Sequence, residues 1–354
     1  MSRILIRGAG AVSPAGWGVT ALCNALAQKQ QLPVVDLPYP GKSQTLKARR
    51  VPAPPSRPGF VAHPRLRRTS PIGQYATAAA LEALGSDIAR VGNGFGELGI
   101  VYCAMSGCVN FSRRFYDETL KNPATASPVI FPETVFNAPA SHLGALLGTS
   151  ALNYTLVGDP GTFLLGIAMA ADWLSRGSVQ ACLVIGAEEL DWLVAEAFDL
   201  FDPEGTVSEG AGALYLTTEE GRSDGVQLAA ITDAYSFSSR LGRARAAQRA
   251  RAELGVAGSP ASLLCDGLQA VRRLDEPERA AWEDWTAARL SPKTILGEAF
   301  AAAAAWQCVS AYAAISNKQH EDAIVSVVGC NQQAIAARFE STTSPNGGPL
   351  LEET

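Results

Sequence analysis

Residues Leu152–Glu189 read LNYTLVGDPGTFLLGIAMAADWLSRGSVQACLVIGAEE. The alternating and β-branched residues of Asn153–Val157 predict a short strand, and the glycines and proline of residues 158–162 predict a sharp turn. Phe163–Leu174 predicts a helix that is apolar on every face, and such a helix is buried. The apolar run Ala181–Ile185 predicts a second strand that is covered on both faces. This unit indicates a layered α/β protein with a helix at its centre.

The composition predicts a globular protein with a large core. The chain has 354 residues, of which 47% are hydrophobic, and a formal net charge of −5. This balance is not that of a general nucleic-acid binder, and no run of 18 apolar residues predicts a membrane span. Because no signal-like apolar stretch stands at the start and the seven cysteines are scattered, we expect a cytoplasmic protein with reduced thiols. The three histidines are too far apart to predict a metal site, and we expect no cofactor.

A glycine-rich segment follows the predicted first strand, Arg3–Arg7. Gly8-Ala9-Gly10 is only a weak dinucleotide-binding signal, because Pro14 falls where the helix of such a motif should begin. We therefore predict that the first strand ends at this segment, and we do not expect a phosphate-binding loop.

Residues 33–71 differ in character from the rest of the chain. Nine of the 21 prolines lie there, together with several lysines and arginines. Proline excludes a long helix, so we expect an extended surface segment. Its positive charge indicates either a solvated loop or a basic surface for an acidic partner.

A second unit resembles the first in its layout. The turn Lys293–Glu298 precedes an alanine-rich helix, Ala299–Ile315, and then a strand, Ala323–Val328. Two small-residue helices can approach each other closely between sheets, so we predict two buried helices between two sheets, one helix from each half. We place the halves at residues 1–218 and 219–340 and expect a flexible tail at 341–354.

Three motifs together resemble a known family. They are Ala9–Pro14, which looks like an opening strand and turn; Ser208–Leu216, which looks like a Gly-Glu-Gly-Ala-Gly strand with serine first; and the segment from Gly158 to Glu188. On these motifs the chain resembles the β-ketoacyl synthases of the thiolase fold along nearly its whole length. The resemblance implies a five-layer α-β-α-β-α architecture with two related halves.

The resemblance also implies that other residue types stand at most positions of that family's catalytic groups. Pro160 falls at the position of the nucleophilic cysteine, and Asp266 and Glu298 fall at those of the two histidines. The catalytic lysine is retained as Lys293. Proline has no nucleophile to form an acyl-enzyme and no backbone N–H for an oxyanion hole. The loop expected to supply the other oxyanion donor reads SVVGCN at residues 326–331.

The turn itself predicts stability rather than catalysis. Asp159 is a favourable N-cap, and Pro160 is favoured at the first position of a helix. We therefore expect no independent condensing activity.

The first functional hypothesis is a degenerate subunit, like the chain-length factors of type II polyketide and aryl-polyene systems. Such a subunit would pair with an active β-ketoacyl synthase and shape the end of its acyl tunnel. The alternative for the bulky candidates is ordinary core packing. The tunnel candidates are Phe163, Phe111, Phe115, Tyr116 and Cys103.

By analogy with the same systems, the basic segment would dock an acidic acyl carrier protein. The docking candidates are Arg49, Arg50, Arg65, Arg67 and Arg68.

Two other hypotheses stay open. In the first, the chain is an enzyme acting on acyl thioesters, with Asp266 and Glu298 as a carboxylate pair near Lys293. In that case Cys103, Cys108 or Cys330 would be a relocated nucleophile. In the second, the chain is a homodimeric binding or scaffold protein that keeps only the fold.

Overall fold

A computed structural model of the chain describes residues 3–91, 98–218 and 225–342. The predicted boundary between the halves adjoins residues 219–224, which lie outside the described residues, as does most of the predicted tail. Within the described part, no helix combines the length and the hydropathy needed to cross a bilayer.

The strands are two to nine residues long. They are β1 Leu5–Ser13, β2 Gly16–Trp17, β3 Val35–Pro38, β4 Thr45–Arg49, β5 Leu98–Ala104, β6 Asn153–Val157, β7 Ala181–Glu188, β8 Val207–Ser208, β9 Gly210–Thr217, β10 Val226–Ile231, β11 Tyr235–Ser236, β12 Ser262–Cys265, β13 Ala288–Leu290, β14 Asp322–Val328 and β15 Gln333–Ser341.

The helices alternate with these strands along most of the chain. They are α1 Val19–Gln28, α2 Pro71–Leu84, α3 Ile88–Val91, α4 Val109–Lys121, α5 Ala138–Leu147, α6 Thr162–Ser175, α7 Trp192–Phe201, α8 Arg240–Leu254, α9 Arg272–Ala281, α10 Pro292–Leu296 and α11 Phe300–Ser316.

The two halves repeat one pattern of strand pairing. In the first half, β6, β5 and β7 are parallel, and β9 and β1 continue the sheet antiparallel. In the second half, β13, β12 and β14 are parallel, and β15 and β10 continue it antiparallel. The halves join where β1 pairs with β10. The prediction of two related halves is confirmed by this shared order.

The layers follow from which helices pack on which strands. Helices α2 and α5 cover the outer face of the first half, and α8 and α9 cover that of the second. Helix α11 lies between the halves, against β7 and β9 on one side and β12 and β14 on the other, and it contacts α6. This order gives the five layers that the sequence predicts, with α6 and α11 in the middle.

Small residues let the central helices approach the strands. A Cβ added at Gly186 would lie 2.3 Å from the Ala301 carbonyl oxygen, and one at Gly212 would lie 2.7 Å from the Ala305 Cβ. Alanines fill the facing positions of α11, and all of Ala301–Ala305 are fully buried. The close approach therefore depends on side chains of at most one carbon on both surfaces.

The predicted end of the first strand at Arg7 is wrong, because β1 continues to Ser13. The glycines are needed where α2 crosses the strand. A Cβ at Gly10 would lie 1.9 Å from the Ala79 carbonyl oxygen, and one at Gly8 would lie 2.1 Å from that of Ala83.

The extended surface segment predicted at residues 33–71 is also wrong in part. Strands β3 and β4 form a hairpin that pairs with β8 in a small separate sheet. Leu37, Leu46, Ala48 and Leu66 are buried. Alternate apolar residues thus anchor the segment despite its prolines.

We predict that Gly10→Val destabilises the fold strongly, because its side chain would collide with the α2 backbone. The free energy of unfolding, measured by denaturant titration, should fall by about 3 kcal/mol or more. Gly59→Ala is the control, because a Cβ at Gly59 meets no atom within 4 Å; its unfolding should change little. Equal stability of the two variants would contradict this account of β1 and α2.

Candidate functional site

The turn before α6 presents a buried carboxylate, not a nucleophile. The Asp159 side chain is fully buried. Its Oδ2 accepts hydrogen bonds from the backbone N–H groups of Gln332 at 3.1 Å and Gln333 at 3.3 Å. Its Oδ1 accepts one from the Gly161 N–H at 3.2 Å. Burial raises the pKa of Asp159, although these N–H donors oppose the shift.

The predicted start of this helix needs a correction. Helix α6 begins at Thr162, with Gly161 as its N-cap, so Asp159 and Pro160 precede it. Asp159 therefore acts less as a cap than as a link to the loop at residues 328–333. This loop includes Gly329, Cys330 and Asn331, where the resemblance expects an oxyanion donor.

Arg243 of α8 holds the same loop from another direction. Its Nη1 donates to the carbonyl oxygens of Gly329 at 2.5 Å and Cys330 at 2.8 Å, and its Nη2 donates to that of Val328 at 3.2 Å. Gly329 packs so tightly on Asp159 that an added Cβ would lie 1.8 Å from its carboxylate oxygen. The Asp159 carboxylate thus binds N–H groups of this loop, and the Arg243 guanidinium binds its carbonyl groups.

Lys293 and Glu298 form a buried ion pair, with Lys293 Nζ 2.7 Å from Glu298 Oε2. Glu298 Oε1 accepts a hydrogen bond from the Phe300 N–H at 2.7 Å. Burial alone would lower the pKa of Lys293, but the attraction of Glu298 outweighs it and the pKa is raised. The charges of Lys293, Glu298, Asp159 and Arg243 all act on Cys330, which places this pair next to the turn.

Asp266 does not form the predicted pair with Glu298. Among the described residues its hydrogen bonds come from Ser291 Oγ at 2.5 Å and the Leu268 N–H at 3.4 Å. The carboxylates that interact with it are Asp275 and Glu278 of α9. Burial raises the pKa of Asp266 to about 6 and that of Glu278 to about 7; the charge of Asp275 adds to the rise at Asp266, and the charge of Asp266 adds to the rise at Glu278.

Sequence reasoning missed Glu278. It accepts hydrogen bonds from Ser326 Oγ at 2.6 Å and the Gly267 N–H at 3.1 Å. It lies in a charged helix whose sequence resembles an exposed one, so only the packing of α9 on the sheet identifies it.

The three cysteine candidates are protonated thiols in this fold. Burial raises the pKa of Cys103, Cys108 and Cys330. Cys103 donates to the Thr162 carbonyl oxygen at 3.5 Å. A thiol with a raised pKa is a poor nucleophile, so this environment disfavours the relocated-thiol hypothesis.

The tunnel candidates lie in different environments. Phe163 is fully buried in the central core, and Phe111 and Phe115 are half-buried. The Phe115 ring lies 5.3 Å from that of Phe131, centroid to centroid. Tyr116 is exposed on α4.

Arg49 is a wrong docking candidate, because only 5% of it is exposed. Its Nε donates to the Leu32 carbonyl oxygen at 2.9 Å, so the guanidinium is bound inside the fold. Arg50 is half-exposed, with its Nε 3.2 Å from Glu209 Oε1. Arg65, Arg67 and Arg68 are exposed.

A surface cleft of about 420 Å³ opens above this site. Its floor includes Cys330 and Asn331, and its rim carries Arg240 and Arg273. Among the described side chains, no group of three or more histidines, cysteines or acids is arranged to hold a metal ion. The site is therefore a set of buried charges bound either to each other or to backbone groups, below a cleft whose rim carries two arginines.

Comparison with known proteins gives the class of fold. The chain matches no family model, and no curated protein is recognisably similar in sequence. Solved ketosynthase structures match the chain over nearly its whole length. Its fold is therefore the thiolase-like fold of these proteins.

Three of these structures illustrate the similarity. A β-ketoacyl synthase from Burkholderia phymatum has a TM-score of 0.79 and 17% identity over 96% of this chain and 99% of its own. A ketosynthase in complex with its chain length factor, from Xenorhabdus doucetiae, has a TM-score of 0.79 and 14% identity over 96% and 98%. The ishigamide ketosynthase/chain length factor has a TM-score of 0.75 and 18% identity over 96% and 99%.

We predict that Asp159→Asn loosens the loop at residues 328–333. Both carboxylate oxygens accept hydrogen bonds from backbone N–H groups. Whichever way the new amide turns, its NH2 group therefore faces at least one N–H donor, and that hydrogen bond is lost. Hydrogen exchange of the Gln332 and Gln333 amides should become about 10- to 100-fold faster.

Asp172→Asn is the matched control, because Asp172 lies in α6 and pairs with Arg176 at the surface. Its exchange pattern in the loop should equal that of the wild type. Unchanged exchange in Asp159→Asn would mean that Asp159 does not hold the loop.

We predict that the unfolding free energy of Glu278→Gln falls less with rising pH than that of the wild type. Because the folded-state pKa is raised from 4.5 to about 7, folding favours protonated Glu278, and its contribution is lost as the pH rises between these values. The variant should match the wild type near pH 4.5 and exceed its unfolding free energy at pH 8 by on the order of 2 kcal/mol.

Urea unfolding at several pH values measures this difference. Glu276→Gln is the control from the same helix, because Glu276 pairs with Arg240 at the surface. Parallel pH profiles for Glu278→Gln and the wild type would refute the buried titration.

Proposed function

We propose that the chain is a catalytically degenerate, ketosynthase-like subunit of the chain-length-factor kind. It would pair with an active β-ketoacyl synthase and shape its acyl tunnel in type II polyketide, polyene or fatty-acid-like biosynthesis. The observation that carries the proposal is the turn before α6, where Pro160 stands and the buried Asp159 carboxylate faces the opposite loop.

Three features of this site argue against independent condensation. Pro160 offers neither a nucleophile nor an N–H donor. The Gln332 and Gln333 N–H groups are occupied by Asp159. The Glu298 carboxylate neutralises Lys293 and cannot donate as an imidazole does.

Pairing with a ketosynthase is supported by the solved structures of similar fold. Two of them are described as a ketosynthase with its chain length factor. A third is a ketosynthase in complex with the acyl-carrier protein of a type II polyketide synthase, with a TM-score of 0.75 and 17% identity over 96% of this chain and 99% of its own.

The carrier protein is the second proposed partner. Arg65, Arg67 and Arg68 are exposed on one segment and could attract an acidic surface. Phe111, Phe115 and Tyr116 lie on α4 and remain the accessible tunnel candidates, whereas Phe163 is enclosed in the core. The seven free cysteines agree with a cytoplasmic location.

A second candidate function is an acyl-thioester hydrolase or transferase. It is favoured by one observation, the buried Asp266 and Glu278 carboxyls with pKa values of about 6 and 7, which suit acid–base chemistry. If this function is correct, the chain alone turns over acyl thioesters, and Glu278→Gln abolishes the turnover while Glu276→Gln does not.

We predict that the chain alone gains no covalent acyl group from an acyl carrier protein, and that Pro160→Cys does not restore loading. The new thiol would lie beside the Asp159 carboxylate and the Lys293–Glu298 pair, without an imidazole base. Intact-protein mass spectrometry measures the acyl adduct.

The control is the co-purified complex with an active ketosynthase. There the acyl group should load on the ketosynthase and vanish when its nucleophilic cysteine is replaced by alanine. An acyl adduct on this chain in the wild type would refute the proposed function.

A further inference from the structure

We propose that residues 51–57 are a docking site for a partner protein whose groove is lined by aromatic side chains and edged by acids. This inference goes beyond the proposed function and does not depend on it. The stretch reads VPAPPSR, and Pro52 and Pro55 give it the spacing PxxP. Residues 50–58 lie outside the helices and strands, between β4 and the 3₁₀ helix Gly59–Ala62. Proline-rich stretches of this spacing are recognised in an extended conformation.

The prolines determine the backbone of this stretch. A proline fixes its own φ at about −65° and disfavours a helical conformation in the residue before it. Every residue from 51 to 55 is a proline or precedes one. Within residues 51–58 the chain bends only at Pro55 and Ser56. Residues 51–55 therefore form a short polyproline II helix, which has three residues per turn.

Exposure along this helix repeats every three residues, as its geometry requires. Val51 and Pro54 are half-buried, whereas Pro52 and Pro55 are exposed. Pro52 and Pro55 are one turn apart, about 9 Å along the axis, and lie on the same face. The fold therefore turns toward solvent the two prolines that a PxxP-binding groove contacts.

The segment is held at both ends. Trp17 Nε1 donates a hydrogen bond to the Pro52 carbonyl oxygen at 2.8 Å. The Val51 N–H donates one to Glu209 Oε1 at 3.3 Å. The other end continues into the 3₁₀ helix Gly59–Ala62. Because the extended conformation is already fixed, docking would cost little conformational entropy.

Charge complementarity selects an acidic groove. From residue 37 to residue 81 the chain has eight lysines and arginines and no aspartate or glutamate. Two arginines flank the PxxP spacing: Arg49 stands three residues before it and Arg57 two residues after it. Arg49 is buried and bound to the Leu32 carbonyl oxygen, whereas Arg57 is exposed. Arg57 is therefore the side chain that would pair with the acids of the groove.

An SH3 domain selected for binding to PxxPxR peptides is the probe, because its groove has these aromatic and acidic groups. Isothermal titration calorimetry with the full chain measures the affinity, and we expect a dissociation constant in the micromolar range. The double variant Pro52→Ala, Pro55→Ala should bind about tenfold more weakly or worse, because it loses both groove contacts. Arg57→Glu should weaken binding to a similar degree, because it reverses the charge that faces the acids.

Pro40→Ala and Arg65→Glu are the matched controls. Pro40 and Arg65 are exposed in the same acid-free part of the chain but lie outside the segment. Both variants should bind the SH3 domain as the wild type does. Thermal unfolding of each variant checks that it folds.

If the full chain does not bind the SH3 domain, the proposal is wrong, even where the free peptide of residues 50–58 binds, because the fold then withholds the segment. Equal binding by the wild type and the double-proline variant would also overturn it, and the prolines would then only stiffen the connection between β4 and α2. The double-proline variant should still pair with the ketosynthase and the carrier protein, so a failure here leaves the proposed function standing.

Discussion

The buried carboxylate of Asp159 determines how the two halves meet at the site. It follows β6 of the first half and accepts hydrogen bonds from backbone N–H groups of the loop at residues 328–333, between β14 and β15 in the second half. Arg243, from an outer helix, binds the carbonyl groups of the same loop. Because both charges are buried and each is satisfied by backbone groups, either one without its partners would cost several kcal/mol. This arrangement fixes the loop in one position.

A fixed loop and a neutralised lysine are the opposite of what acyl transfer needs. Condensation requires free N–H donors aimed at a developing oxyanion and a nucleophile beside them. Here the available N–H groups are bound to an internal anion, and Lys293 is bound to Glu298. The polar groups of this site interact with one another. If the proposed function is correct, the residues that remove catalysis are the same ones that supply these internal bonds.

The fold was largely predictable from the sequence, because helices that are apolar on every face must be buried and strands alternate with them along the chain. The start of α6 differs from its prediction by a single residue. The first strand was predicted too short, because a glycine that permits a helix to cross a strand looks the same in sequence as one that ends the strand. The hairpin β3–β4 was missed because proline masks its alternating pattern.

The site was less predictable, because its chemistry depends on contacts between distant residues. Local sequence identifies Asp159 as a cap, but its bonds to Gln332 and Gln333 span the two halves. Glu278 carries no local signal, and its environment is set by the burial of α9 against β12 and β14. A buried acid in such a position titrates near neutrality only because the surrounding core excludes water. At Glu278 the residues of α8, β12 and β14 that pack beside α9 create that exclusion, so the titration of this group depends on tertiary contacts that no local stretch of sequence contains.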